Sequence, residues 1–239
     1  MNNPKRIVIT GGSRGIGLAI AHAFAEAKQG DTLVLVARQP EALQAAALHL
    51  QSRYPRATVA HYAAHMGQPA EVEALGGYIL EHFGGADILV NNAGFFVPGS
   101  VGTEAPGSLG AMLSTNLASA YHLTRLLLPG MMARQKGHIF NICSIASIQA
   151  YPNGGSYSIS KFALLGMGKN LREELKPHGV KVTNILPGAT YTDSWAASGL
   201  PPERFMTPQD VAAMVVCAAN LSPAACVEEI IMRPQLGDI

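Results

Sequence analysis

Tyr157 and Lys161 stand four residues apart in the stretch GGSYSISKF, just after a pair of glycines. A helix starting near Ser156 would put both on one face, a single turn apart. An ammonium beside a phenol favours phenolate, so the spacing predicts a tyrosine titrating below its ordinary value of about 10. Such a group could donate or accept a proton near neutral pH. The same pair could equally be a packed tyrosine and a lysine reaching for water. The remaining motifs decide between the two.

A second chemical signature lies near the start of the chain. RIVITGGSRGIGLAIAHAFAEA reads as strand, glycine turn and helix, the setting of a dinucleotide fingerprint. Gly11 and Gly15 allow a tight turn and close backbone approach to phosphate, and Gly17 lets the helix pack closely on the strand. The helix N-terminus offers N–H groups and a positive dipole end to a pyrophosphate. Three residues separate Gly11 from Gly15, unlike plain G-x-G-x-x-G, and a merely tight turn would use the same glycines. About twenty residues on, where an NAD site carries Asp or Glu for the ribose 2′-hydroxyl, the chain reads Ala37-Arg38. With Arg14 inside the turn, two guanidinium groups could clamp a 2′-phosphate. NADP(H) is therefore expected over NAD(H), unless both arginines are plain solvated residues.

Taken together, T-G-G-S-R-G-I-G (10–17), N-N-A-G (91–94), Asn116, Ser144, Y-S-I-S-K (157–161) and P-G-A-T-Y-T (187–192) resemble the short-chain dehydrogenases/reductases. The motifs run in family order over essentially the whole chain, with Ser144 thirteen residues before Tyr157. The resemblance implies carbonyl reduction in which Tyr157 donates the proton and Ser144 polarises the carbonyl. Lys161 would lower the tyrosine's pKa and hold the nicotinamide ribose, and Asn116 would support a water relay behind the lysine. Ser144 could instead be a helix cap, and Asn116 could bond its local backbone. The cofactor set implied is Gly11, Ser13, Arg14, Gly15, Ile16 and Gly17 in the turn, with Arg38 after the second strand. Asn91, Ala93 and Gly94 follow near the adenosine or ribose, then Tyr157, Lys161, Pro187, Gly188, Thr190 and Thr192 around the nicotinamide. One departure concerns the adenine: the family's usual Asp after the third strand is replaced in YAAHMGQ by His65 at about that place.

For the substrate, the tail VEEIIMRPQLGDI and the segment GATYTDSW resemble the bacterial sepiapterin reductase group of the family. This implies a pterin side-chain carbonyl, with Asp238 pairing with the pterin's guanidine-like edge. The loop 189–208 itself carries Tyr191, Trp195, Leu200 and Phe205, apolar and aromatic groups suited to covering a flat or oily ligand. A 3-oxoacyl thioester reductase has nearly the same motifs and would want a basic patch at the cleft mouth, for which Arg125, Arg134 and Lys136 are candidates. A non-catalytic NADP-sensing regulator on the same fold can dispense with Tyr157 and Lys161, and this chain keeps both. Family members often form homodimers or homotetramers through long helices, here expected at about 107–135 and 157–176.

The elements that must position these groups are legible as well. Seven short runs (RIVIT, TLVLVA, TVAHYA, DILVNNA, HIFNIC, VKVTNIL and VEEIIM) read as strands, most of them continuously apolar as in a parallel sheet buried on both faces. Between them lie helical patterns, such as Ile16, Ile20, Phe24 and Ala27 on one stripe. The alternation predicts a single α/β domain over 1–239, a doubly wound Rossmann-type sheet of about seven strands flanked by helices. The segment 189–208, rich in Gly and Pro, reads as a substrate loop with short helical turns.

Composition agrees with this reading. Apolar residues make up 48% of the chain and charged ones 14%, enough to build a large core and too little charge for disorder. A net charge of +1 gives no basic field for nucleic acid or anionic membranes. Cys143, Cys217 and Cys226 are too scattered for a disulfide framework, and the histidines are dispersed, so no metal is expected. No apolar run reaches the roughly 18–20 residues of a membrane span, and MNNPKRIVIT turns into the first strand without an apolar leader-like run, so no leader is expected. A cytoplasmic enzyme acting on a small carbonyl or alcohol is the expectation.

Overall fold

The computed structural model of the protein describes residues 4–27, 30–195 and 198–239. Among these, seven strands alternate with seven α-helices. In order they are β1 (Arg6–Thr10), α1 (Gly15–Glu26), β2 (Thr32–Ala37), α2 (Pro40–Arg53), β3 (Thr58–Ala63), α3 (Pro69–Phe83) and β4 (Ile88–Asn91). There follow α4 (Ser108–Leu113), α5 (Ser119–Ala133), β5 (Gly137–Ile142), α6 (Gly155–Leu175), β6 (Val180–Pro187), α7 (Pro208–Ala219) and β7 (Glu229–Met232). Every strand candidate forms a strand, and all pair in parallel in the order β3-β2-β1-β4-β5-β6-β7. The order reverses beside β1 and β4, which opens a crevice at their carboxyl ends.

Strand alternation explains why the strands are apolar throughout. Ile7, Ile9, Leu33 and Leu35 point to the layer holding Ile20, Phe24, Leu43 and Val211 of α1, α2 and α7. Val8, Val34 and Val36 point to the opposite layer, against Val72 and Leu75 of α3 and Leu123 and Leu127 of α5. In the α1 stripe, Ile20 and Phe24 are buried and Ile16 packs at the margin, whereas Ala27 is an exposed C-cap because the helix stops at Glu26.

The expected 107–135 helix is interrupted: a π-helical turn, Ser114–Ala118, joins α4 to α5 and carries Asn116. The second long helix starts at Gly155, two residues before the expected 157. In the 189–208 segment, short 3₁₀ turns form at Asp193–Trp195 and Pro202–Arg204, and residues 196 and 197 lie outside the described residues.

Candidate active site

The β1–α1 turn is built by backbone conformations that favour glycine. Gly11 and Gly15 have φ of +66° and +54°, in the left-handed region. A Cβ on Gly11 would sit 2.7 Å from Asn92 Nδ2, so the turn is also pressed against the end of β4. Thr10 Oγ1 accepts the N–H groups of Asn92 and Ala93 (3.0 and 2.9 Å), fixing that approach. No residue of the turn caps α1 with a side chain, which leaves its N-terminus to the crevice.

The crevice is a cleft of about 820 Å³ at the carboxyl edge of the sheet. Gly11, Ser13, Arg14, Gly15 and Ile16 form one end of it, with Arg38 and His65 beyond the ends of β2 and β3. Ala93 and Gly94 line its middle, followed by Ser144, Tyr157 and Lys161, with Pro187, Gly188, Thr190, Thr192, Trp195 and Asp238 on the far side. Fifteen of the seventeen expected cofactor residues therefore share one cleft.

Gly17 and Asn91 do not join them. Gly17 is buried behind the turn, where a Cβ would overlap the Gly11 carbonyl. Asn91 is 4% exposed and spends its amide within the sheet: Nδ2 donates to Thr124 Oγ1 (3.1 Å) and to Asn141 Oδ1 (3.0 Å). Asn141 donates in turn to Asn184 Oδ1 (3.0 Å), so three register-matched asparagines tie β4, β5 and β6 together. The neighbouring Asn92 lines the cleft instead. The signal was present: DILVNNA, HIFNIC and VKVTNIL each carry an Asn at the matching place, the mark of a cross-strand ladder.

Tyr157 and Lys161 do share a face of α6, and Lys161 Nζ lies 5.8 Å from the phenol ring centroid. The expected depression of the tyrosine does not follow. Burial raises the Tyr157 pKa, and the Ser144 hydroxyl, which pulls it down, does not prevail. The lysine contributes little because its ammonium donates to the Ile142 carbonyl (2.8 Å), 5% exposed, and burial pushes its own pKa down to about 8. Ser144 is a cap and a cleft residue at once: its Oγ accepts Ala146 N–H (3.1 Å) at the start of a short 3₁₀ turn, Ile145–Ser147, and the residue lines the cleft.

Asn116 is not on the cleft wall; it is 1% exposed behind it. Its Oδ1 accepts Phe95 N–H (3.0 Å), and its Nδ2 donates to Phe95 O (3.1 Å) and Ser160 Oγ (2.9 Å). The partners are therefore distant in sequence, and the residue staples the segment after β4 to α6. Tyr191 also lies off the cleft, exposed and packed on Phe205 at 5.5 Å between centroids. Among the cleft residues that went unread in the sequence are Phe96, edge-on to the Tyr157 ring at 4.9 Å, Gln149 and Tyr151. All three sit in irregular segments that carry no periodicity to place them.

The far wall holds a charged cluster. Arg233 grips Asp238 through Oδ2 and donates to Gln149 Oε1 (3.2 Å), while Asp238 Oδ1 lies over Gly188, 3.3 Å from where a Cβ would stand. Arg204 secures the tail beneath, donating to the carbonyls of Gly237 and Asp238 (3.0 Å each). At the opposite end Arg14 pairs with Asp193 at 2.8 Å, both largely exposed. The residues fit an NADP(H) molecule: a phosphate cradle without room for side chains, exposed Arg14 and Arg38 for a 2′-phosphate, and no carboxylate at the end of β2.

A parallel sheet with a switch-point cleft and a glycine turn at the first helix is the frame of a dinucleotide-binding protein. Residues 5–201 match the family model for short chain dehydrogenase, and the chain belongs to that family. It is an NADP(H)-dependent oxidoreductase acting between a carbonyl and an alcohol. It is 34% identical over 239 residues to a sepiapterin reductase of Chlorobaculum tepidum, covering 98% of this chain and 97% of that one. L-sorbose reductase from Gluconobacter frateurii, solved with NADPH and L-sorbose, superposes with a TM-score of 0.87 at 32% identity over 96% and 95% of the two chains. The alcohol dehydrogenase of Thermococcus sibiricus, solved with 5-hydroxy-NADP, gives 0.89 at 28% identity over 99% of each chain. No helix among the described residues is long and apolar enough to cross a membrane.

Proposed function

We propose that the enzyme reduces the side-chain carbonyl of a pterin, in the manner of a sepiapterin reductase. The observation that carries this reading is the placement of Asp238 on the cleft wall, one carboxylate oxygen held by Arg233 and the other turned over Gly188. That oxygen can accept hydrogen bonds from an amino-imino edge, and Trp195, Phe96 and Tyr151 supply aromatic surface for a flat ring. The likeness to the Chlorobaculum tepidum protein over 98% of this chain supports it.

Bound NADPH supplies the hydride. Tyr157, a phenol whose pKa burial raises above its ordinary value, gives its proton to the carbonyl oxygen as negative charge develops there. The Ser144 hydroxyl donates a second hydrogen bond to the same oxygen. We assign Lys161 chiefly to the nicotinamide ribose; its ammonium, 5.8 Å from the phenol ring centroid and donating to the Ile142 carbonyl, exerts only a weak pull on the phenolate left after transfer. The setting we assign is cytoplasmic, as a homodimer or homotetramer through α5 and α6, with 189–208 as substrate loop.

Of the three basic residues offered for the thioester alternative, one can be placed directly. Arg134 donates to the Ala86 carbonyl (2.7 Å) and faces Asp87, which places it at the amino edge of the sheet, away from the cleft. NADPH oxidation measured with sepiapterin and an acetoacetyl thioester side by side, NADH as control, tests the reading. Turnover of sepiapterin, weakened by Asp238→Asn through KM, is expected; turnover of the thioester alone would overturn it.

A further inference from the structure

Helix α6 carries the tyrosine and lysine, yet its own sequence cannot cap it. The residues at its start are Gly154 and Gly155, and no side chain from the N-cap position meets its first N–H groups. Such groups need a partner when they are withdrawn from water. Here the partner comes from fifty residues upstream. Glu104, in the irregular segment between β4 and α4, accepts the Ser156 N–H through Oε1 (2.7 Å) and the Ser156 hydroxyl through Oε2. A carboxylate at this end of a helix is also favoured by the helix dipole.

The fit around this carboxylate is close on both sides. A side chain at Gly155, whose φ is +27°, would overlap Glu104 Oε1, and a Cβ on Gly99 would stand 2.6 Å from Glu104 Cγ. The segment is stitched down on either side of Asn153: Gly99 N–H donates to its carbonyl (3.0 Å) and Ser100 Oγ to its Oδ1 (3.0 Å). The same segment delivers the Phe96 ring, edge-on to Tyr157. Thus one loop touches the phenol directly and fixes the residue immediately before it.

We infer that Glu104 is a positioning residue: its carboxylate, holding Ser156 at the start of α6, sets where the Tyr157 hydroxyl stands relative to Ser144. The inference rests on the reading of Tyr157 as proton donor. Proton transfer depends steeply on placement, and a misplacement of about 1 Å costs on the order of 10²-fold in rate. Glutamine keeps the reach and one oxygen for the Ser156 N–H, and its amide can donate to the Ser156 hydroxyl. Aspartate keeps the charge and loses one methylene of reach. Reach, not charge, is what the geometry demands.

Glu104→Gln, Glu104→Asp and Glu104→Ala are compared for kcat per folded molecule with sepiapterin, for NADPH affinity by fluorescence, and for the pH profile of kcat. Glu104→Asp and Glu104→Ala should lose about 10- to 100-fold in kcat with NADPH affinity within about twofold, and the alkaline limb of the profile should move. Glu104→Gln should stay within about threefold of the parent. If Glu104→Ala does not fold, the aspartate and glutamine pair decides the matter. Aspartate at the parental kcat, or glutamine falling as far as aspartate, overturns the inference. Tyr157→Phe runs alongside: parental activity there sinks the proton-donor reading itself, whereas an inactive Tyr157→Phe with an unaffected Glu104→Asp sinks only the role of Glu104.

Discussion

The two edges of the sheet are built on opposite terms. At the amino edge, Asp87 receives Arg6 through both oxygens (2.9 and 2.8 Å), and Arg134 approaches it at 3.8 Å. Burial alone would raise the Asp87 pKa, but the Arg6 hydrogen bonds and charge hold it below the usual carboxylate range. His138, 6% exposed as the second residue of β5, stacks on Phe140 and contacts Thr183 Oγ1 at 2.8 Å, neutral because burial pushes its pKa to about 3. At the carboxyl edge the polar groups face a cleft, and Lys161 is buried with a carbonyl as its partner and no carboxylate. The half-buried acid of the amino edge is paired and supports stability. The buried lysine of the carboxyl edge has no carboxylate and is held at some cost to stability, while the ion pairs of that edge, Arg14–Asp193 and Arg233–Asp238, lie at the cleft surface.

The sharpest break in that comparison is Tyr157→Phe, which should lower kcat by roughly 10²- to 10⁴-fold while thermal unfolding stays close to the parent. Next comes acid. An unfolded histidine takes up a proton near 6.5 while folded His138 resists it down to about 3, so the unfolded state binds more protons across that window. Stability should therefore fall as pH drops from 6.5 towards 3, by up to ~4 kcal/mol. Asp87, depressed in the folded state, adds to the loss at the lower end. His138→Gln should flatten the melting temperature against pH across the upper part of this window. An unchanged slope would show that the acid response arises elsewhere.

Asp87→Asn should cost about 1–3 kcal/mol in urea unfolding and leave kcat untouched, since it lies at the far edge. A large kcat loss there would mean the edges are coupled. Arg14→Ala with Arg38→Ala should weaken NADPH binding by on the order of 10- to 100-fold and leave NADH affinity nearly unchanged, read by fluorescence titration. The smallest effect has the opposite sign. Folded Lys161 releases its proton near 8 and an unfolded lysine near 10.5, so its burial costs stability at neutral pH, and that cost fades as pH rises through this window. Lys161→Met should be more stable by about 1 kcal/mol at pH 7, and inactive.

The strands and the cleft were legible because their causes are local. Period-two burial in RIVIT or TLVLVA, and glycines at the positive-φ turn, leave their mark on a few adjacent residues. Asn91 was misplaced because Asn91 and Asn92 differ only in which side of a strand end they face, and that depends on β5 and α5 alongside. The pKa of Tyr157 was misjudged for a related reason. Spacing on a helix places two side chains on one face, but the Ile142 carbonyl decides where the ammonium points, and burial decides the sign.

By itself, then, the chain's order of residues determined the doubly wound sheet, the phosphate cradle, the basic choice for a 2′-phosphate and the pairing of Tyr157 with Lys161. Those follow from periodicity, backbone freedom and helical spacing, which act over a handful of residues. Only the tertiary structure decided that Asn116 staples rather than lines the cleft, that Arg233 shares Asp238, and that Glu104 caps the helix bearing Tyr157. Each of these is a contact between segments tens of residues apart, set by how irregular loops settle on the sheet. No local pattern encodes such a contact.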